Sequence, residues 1–506
     1  MTPRPDARAL IGRVLDAHSW KPWDEPPVDR ASPGSEYAEE LAAARAKTGY
    51  DESVITGEGT LAGRRVAVVA CEFSFLAGSI GVAAAERLTR AVERATAEGL
   101  PLLAAPASGG TRMQEGALAF TQMVKITAAV AAHRAAGLPY VVYLRHPTTG
   151  GVFASWGSLG HVTAAEPDAL IGFLGPRVFE ALHGYPFPKS VQVSENLFAH
   201  GLVDAVVSAE DAREIAIRAL AVLCAPRSLA RELAESGGNP DRGPEPEEAD
   251  ATVEAWEAIT RSRRDDRPGV RSLLKFGASD VTPLNGTGTG ESDPGLLLAL
   301  ARFGTAPAVV LGQDRRRQRA DGALGPAGLR VARRGMRLAS ELGLPLVTVI
   351  DTAGAALSKA AEEGGLAAEI ARSLADLVML DAPTVCLLLG EGAGGGALAL
   401  LPADRVVCAQ HGWLSPLPPE GASAIVYRTV DFAPEIARSQ GVRAADLKRD
   451  GIVDRIVPER PDAAYEPAAF CRRVAETLEY EIMGLLGRAS GERLAARFAR
   501  YRSLGS

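Results

Sequence analysis

Cysteine is scarce in this chain, and no residue pattern for binding a metal is present. The five cysteines, Cys71, Cys224, Cys386, Cys408 and Cys471, include no C-x-x-C pair. This excludes a zinc ribbon and a disulfide framework, so no zinc is expected and a reducing cytoplasm fits. The seven histidines, His18, His133, His146, His161, His183, His200 and His411, contain no H-E-x-x-H or similar ligand spacing. Long apolar runs are missing too. Nothing approaches the roughly 20 uninterrupted apolar residues of a membrane span, and the opening MTPRPDARALIGRVLDAHSW lacks the apolar core of a signal peptide. A net charge of -7 without a basic stripe gives no electrostatic case for nucleic acid. None of the glycine-rich turns is followed by G-K-[ST], so a P-loop is absent, and neither Ser108 nor Ser155 lies in G-x-S-x-G.

What is there is an ordinary globular composition, 47% hydrophobic and 23% charged, in 506 residues, which is enough for two large domains. Residues 1–56 are rich in proline, alanine and charge, and predict an outer helix over Ser35–Lys47 with Ser35 as its N-cap. From Thr60 onward short apolar runs (Arg65–Ala70, Leu100–Ala105) alternate with amphipathic stretches (Ala83–Ala97, Gly116–Ala136). The alternation predicts βαβ units of an α/β fold. Residues 236–268 collect glycine, proline and both charge signs and mark a junction, although WEAITRSRR predicts a short helix within it. Beyond it the alternation resumes with Ala308–Leu311, Gly325–Leu342, Leu346–Asp351, Leu366–Leu380 and Thr384–Leu389. ASGGTRMQEG with TTGGVFAS in the first half corresponds to DTAGA with GEGAGGGALAL in the second, which suggests a duplication.

The chemistry lies in those turns. In Leu102–Arg112 (LLAAPASGGTR) an apolar strand runs into Ser108, Gly109 and Gly110 and then into a helix. Glycines let backbone N–H groups approach a ligand, and a helix start adds partial positive charge, so such a turn suits an enolate or thioester oxygen. A single Gly-Gly turn is more often only a tight turn, but four of them at strand ends favour the functional reading. Glu420 in PPEG is read either as an acid or base or as an ion-pair partner.

Along these motifs the sequence resembles the bacterial-type acetyl-CoA carboxylase carboxyltransferase. FSFLAGSIG (73–81), ASGGTRMQEG (107–116) and GLPYVVYLRHPTTGGVFAS (137–155) look like its β subunit. GMRLASELGLPLVTVIDTAGA (335–355), GEGAGGGALAL (390–400) and SPLPPEGASAIVYR (415–428) look like its α subunit. The likeness covers roughly residues 57–210 and 300–460. It implies two crotonase-like (ClpP/crotonase) spiral ββα domains in tandem: a helical extension over 1–56, a β-like domain over 57–240, a linker over 241–268 and an α-like domain over 269–506. It also implies carboxyl transfer from carboxybiotin to the α carbon of an acyl-CoA, with biotin entering between domains that face each other across a dimer interface. By the resemblance, Gly109 and Gly110 hold the thioester oxygen as it becomes an enolate, and Gly396 and Ala397 hold the biotin ureido oxygen. Ser108, Arg112, Gly150, Gly151, Gly354, Ala356, Gly395, Glu420 and Gly421 surround the substrates, with Arg112 orienting its turn or meeting a CoA phosphate.

The chain departs from that family in lacking the four-cysteine zinc ribbon and in reading Asp351-Thr352-Ala353-Gly354-Ala355-Ala356-Leu357-Ser358 where D-T-P-G-A-Y-P-G is usual. The missing Pro and Tyr point to an acyl pocket suited to more than acetyl. No methionine precedes a lysine, so the biotinylated motif is absent. Biotin must therefore arrive on a biotin carboxyl carrier protein loaded by a biotin carboxylase. Two alternatives stay open: a carboxyltransferase for longer acyl-CoA or of a decarboxylase complex, and a non-catalytic acyl-CoA-binding scaffold.

Overall fold

The computed structural model describes residues 4–173, 179–180, 183–226, 245–249 and 253–504. The chain forms two units, one of Met1–Cys224 with Gly288–Gly290 and one of Ala225–Thr287 with Glu291–Ser506. The expected boundary at residue 240 lies outside the described residues, as does most of 241–252.

In the first unit the strands are β1 (Lys21–Pro22), β2 (Val54–Leu61), β3 (Arg64–Cys71), β4 (Leu102–Ala105), β5 (Tyr140–Leu144), β6 (Thr148–Thr149), β7 (Val162–Ala165), β8 (Ile171–Gly172) and β9 (Ala205–Val206). Seven of them form a sheet in the order β1-β2-β3-β4-β5-β7-β9, and β6 and β8 pair apart. The β2–β3 hairpin is antiparallel and every later pairing is parallel. Arg64–Cys71 (RRVAVVAC) is buried from Val66 onward, as a strand covered on both faces must be. The helix Glu36–Thr48 begins on Ser35, whose hydroxyl accepts the Ala38 N–H at 3.3 Å. The extension is more than a helix. Its Lys21 and Pro22 pair with Glu58 and Gly57 as an edge strand, where proline's missing N–H costs no ladder bond.

The second unit repeats the plan with β10 (Ser279–Leu284), β11 (Leu296–Phe303), β12 (Ala306–Gln313), β13 (Leu346–Thr352), β14 (Thr384–Gly392), β15 (Arg405–Ala409) and β16 (Arg455–Val457). They lie side by side in that order, antiparallel from β10 to β12 and parallel thereafter. Each unit is thus a hairpin followed by parallel crossovers, the spiral ββα form of the crotonase-like fold. The helix Pro326–Leu342 starts with proline at its first turn and stops at Gly343, with φ of 63°. Its Gly335 lets helix and sheet touch, since a Cβ there would stand 2.6 Å from Leu311 Cδ2.

Residues 255–268, expected as linker, belong to the core of the second unit. Ile259 and Arg267 are buried, and Trp413 Nε1 donates to Ser262 Oγ at 2.9 Å. The charge-rich composition misled because several of these charges have found buried partners. Among the described residues no helix is long and apolar enough to cross a membrane.

Candidate active site

In the first unit β4 leaves the sheet and turns at Ser108–Gly110. The buried Ser108 donates its N–H to Pro147 O at 2.6 Å, and its hydroxyl accepts the Gly110 N–H at 3.0 Å. That closure needs φ of 111° at position 110, which only glycine adopts without strain. A second glycine pair faces this turn. A Cβ on Gly110 would stand 3.7 Å from both Gly150 Cα and Gly151 N. Gly150 donates its N–H to Phe173 O at 3.1 Å, while the N–H groups of Gly151 and Val152 bond to no described residue. They open the short helix Gly150–Phe153, where the first N–H groups have no intrahelical acceptor.

The second unit builds the same device. Thr352 Oγ1 accepts the Gly354 N–H at 3.2 Å, with φ of 136° at Gly354. Gly394 donates to Ser415 O at 3.0 Å, as Gly150 does to Phe173. The Ala356 N–H reaches Leu324 O at 2.9 Å, matching Arg112 to Ile80 at 3.0 Å. A Cβ on Gly396 would stand 3.3 Å from Ala355 N, so this helix start also faces its turn. The N–H groups of Gly395 and Gly396 bond to no described residue.

These contacts correct two expectations. Gly109 and Gly110 are not the free donors of their turn, because Gly109 donates to Ala77 O at 2.9 Å and Gly110 to Ser108. Across the gap, the N–H groups of Gly151 and Val152 have no partner among the described residues. Gly396 and Ala397 are both buried in the short helix Gly394–Leu398, with Gly395 half-buried just before them. Arg112 does not reach out to a phosphate. Its NH1 and NH2 hold Glu52 at 2.5 and 2.7 Å, and NH2 also donates to Ser79 O at 2.9 Å, all in the interior. Its role is the one left, fixing the turn.

Glu420 is held by Arg263 at 3.1 Å, and Arg263 also binds Glu391 at 3.0 Å. The guanidinium keeps the Glu420 carboxyl below the usual range, so it is an ion-pair partner at neutral pH, with Gly421 half-exposed beside it. Among the described residues His411, Glu459 and Asp462 bring possible metal ligands within 4.8 Å of one another. Arg267 already supplies the cation there, with NH1 and NH2 at 2.5 and 2.7 Å from Glu459.

A groove of about 620 Å³ opens beside Gly109, between Leu76–Ala77 and the helix Glu36–Thr48, with Lys47 on its wall. Leu76, Ala77 and Gly78 have successive φ of 45°, 56° and 62°. Two non-glycine residues there are strained, a feature that concentrates at functional sites. Nothing in FSFLAGSIG announces it, because leucine and alanine favour helix.

The carboxyl transferase domain profile matches residues 28–486. The probable biotin-dependent acyl-coenzyme A carboxylase beta3 subunit of Mycobacterium tuberculosis is 60% identical over 494 residues, 97% of either chain. The acetyl-coenzyme A carboxylase carboxyl transferase subunits beta/alpha of Salinispora arenicola are 37% identical over 519 residues, 99% of this chain and 91% of that one. Transcarboxylase 12S, solved as a hexamer with methylmalonyl-coenzyme A and methylmalonic acid bound, matches with a TM-score of 0.71 at 19% identity, covering 92% of this chain and 89% of that one. A single-chain, multi-domain long-chain acyl-CoA carboxylase matches with a TM-score of 0.71 at 20% identity, covering 93% and 45%. At those identities the structures show the shared fold, and the sequence matches show the family. The chain belongs to the carboxyl transferase family, as a carboxyltransferase of the biotin-dependent acyl-coenzyme A carboxylase type.

Proposed function

We propose that the chain moves a carboxyl group from carboxybiotin on a separate carrier protein to the α carbon of an acyl-CoA. One observation carries this reading: each unit presents, at a glycine-lined helix start, two backbone N–H groups with no partner among the described residues, Gly151 with Val152 and Gly395 with Gly396. Such donors stabilise an oxygen as it gains negative charge. The first pair would hold the thioester oxygen, with the CoA lying in the groove beside Gly109 and Lys47 meeting a phosphate in place of Arg112. The second pair would hold the ureido oxygen of biotin, which needs neutral donors and no charged side chain. The carrier's carboxybiotin supplies the carboxyl group and, once relieved of it, the base for the α proton. The site therefore works without a side-chain base, in keeping with an ion-paired Glu420.

A biotin carboxyl carrier protein and a biotin carboxylase are the implied partners, and fatty acid synthesis through malonyl-CoA is one setting for the product. Each unit carries exposed apolar side chains on one helix, Leu118, Phe120 and Val124 on Gly116–Ala135 in the first and Ile425, Val426 and Tyr427 on Pro419–Tyr427 in the second. They support a homo-oligomer, because a lone chain rarely leaves such patches in water.

The test is a panel of acyl-CoAs assayed with carrier, carboxylase and ATP. The complete mixture is expected to yield 2-carboxyacyl-CoA, and the isolated chain none. Product from the chain alone would contradict its assignment as one component.

The acyl group follows from Ala356, half-buried where the family usually places tyrosine. An acyl chain longer than acetyl is expected to have the higher kcat/KM, at about 0.8 kcal/mol for each added CH2 that finds room. Ala356→Tyr is expected to restore preference for acetyl-CoA by steric exclusion. A wild type that prefers acetyl-CoA, with the Tyr variant unchanged, would show that position 356 is not a pocket wall.

A further inference from the structure

The second donor pair depends on how its helix start is held, and one side chain outside both glycine motifs does the holding. Gln313, at the end of β12, is completely buried. Its Nε2 donates to Gly396 O at 2.7 Å, and its Oε1 accepts the Asp351 N–H at 3.1 Å. One amide thus joins the turn that leaves β13 to the helix that carries Gly395 and Gly396. Gln318 braces the same turn from behind, accepting the Thr352 hydroxyl at 2.7 Å and donating to Gly295 O at 3.0 Å.

The first unit shows that the fold does not require this clamp. Val309 pairs with Leu346 as Ala67 pairs with Leu102, so Gln313 corresponds to Cys71 and Asp351 to Ala107. The first turn is built at those places with a thiol and a methyl group. The polar bridge belongs to the second turn alone, at a position where a buried amide gains only by having partners for both its ends.

The geometry assigns Gln313 as a positioning residue for carboxyl transfer: it fixes the glycine helix start against the Asp351–Gly354 turn, so that the Gly395 and Gly396 N–H groups keep their aim at the biotin oxygen. This rests on the reading of those two groups as donors. It deepens that reading, because a misplacement of about 1 Å in a reacting array costs as much as 100-fold in rate.

Two variants test it in the complete system of carrier, carboxylase, ATP and the acyl-CoA that wild type uses best. Gln313→Glu keeps size and the acceptor for Asp351, and replaces the donor to Gly396 with a carboxylate oxygen. Gln313→Met keeps length and removes both bonds. Expected are losses in kcat of about 10- to 100-fold, below the roughly 100- to 1,000-fold of a lost oxyanion donor. The dissociation constant for CoA itself should stay at the wild-type value, since the CoA is assigned to the groove beside Gly109 in the first unit. A purely structural role would instead lower the unfolding midpoint and leave kcat per folded molecule unchanged. Should the Met variant fail to fold, the isosteric Glu variant decides. Wild-type kcat in folded Gln313→Glu, or a loss confined to the KM for acyl-CoA, overturns the assignment of Gln313 alone. A wild-type protein that takes no carboxyl group from the carboxylated carrier overturns the underlying reading instead.

Discussion

Valine at position 110 is expected to cut turnover to about 1% of wild type or less, on the scale of a lost oxyanion donor. Gly110 has φ of 111°, where a β-branched residue is strained. A Cβ there would also stand 3.7 Å from Gly151 N. The new side chain therefore grows into the gap that an oxygen must enter to meet the Gly151 and Val152 donors. Gly396→Val should act alike from a different cause, because its Cβ would stand 3.3 Å from Ala355 N and push the helix start from its turn. Both are to be assayed in the complete carboxylation system, with circular dichroism to establish that the protein is folded. A folded Gly110→Val with turnover near wild type would show that the first pair of turns is structural only.

The second large effect concerns stability. Arg267→Met is expected to destabilise the second unit by about 3–5 kcal/mol, the usual result of leaving one member of a buried ion pair alone. Arg267 is 1% exposed, bound twice by Glu459, and the guanidinium also donates to Leu389 O at 3.0 Å. Burial by itself would raise the Glu459 carboxyl, but Arg267, helped by His411, holds it well below its ordinary 4.5. A depressed folded-state value means that the pair's contribution is complete above about pH 4.5 and is lost as pH falls through the folded value. The gap between wild type and variant should therefore narrow in acid. Urea unfolding followed by the fluorescence of the buried Trp413 measures it, and a loss under about 1 kcal/mol at neutral pH would place the pair with exposed ion pairs in worth.

The repeated ββα plan was legible because strands covered on both faces must read as short apolar runs, and Val66–Cys71 and Leu346–Ile350 do. The glycine turns were legible for a similar reason: positive φ at Gly110 and Gly354 leaves little choice of residue. The engagement of Gly110 was not legible, since composition does not reveal that the Ser108 hydroxyl occupies its N–H. Arg112 and Glu420 were ambiguous because a charge in a motif has the same letter whether its partner is a substrate or, as here, Glu52 or Arg263. Gln313 left no trace, as its two bonds join segments 38 and 83 residues away. Residues 255–268 read as linker because polar sequence is ordinarily exposed, and their burial depends on partners such as Glu459 nearly 200 residues on.

The groups assigned to the two oxygens are main-chain amides. An alanine scan, the usual way to locate an active site, interrogates side chains and is nearly blind to them. Val152→Ala would leave its N–H in place, and no substitution at 395 or 396 other than proline removes the amide proton. The surviving signal in such a scan would come from supports such as Arg112, Gln313 and Gln318, and would point to the scaffold while the working atoms stay silent. Removing a single amide proton calls for an ester in place of the peptide bond, introduced by chemical synthesis or by an α-hydroxy acid.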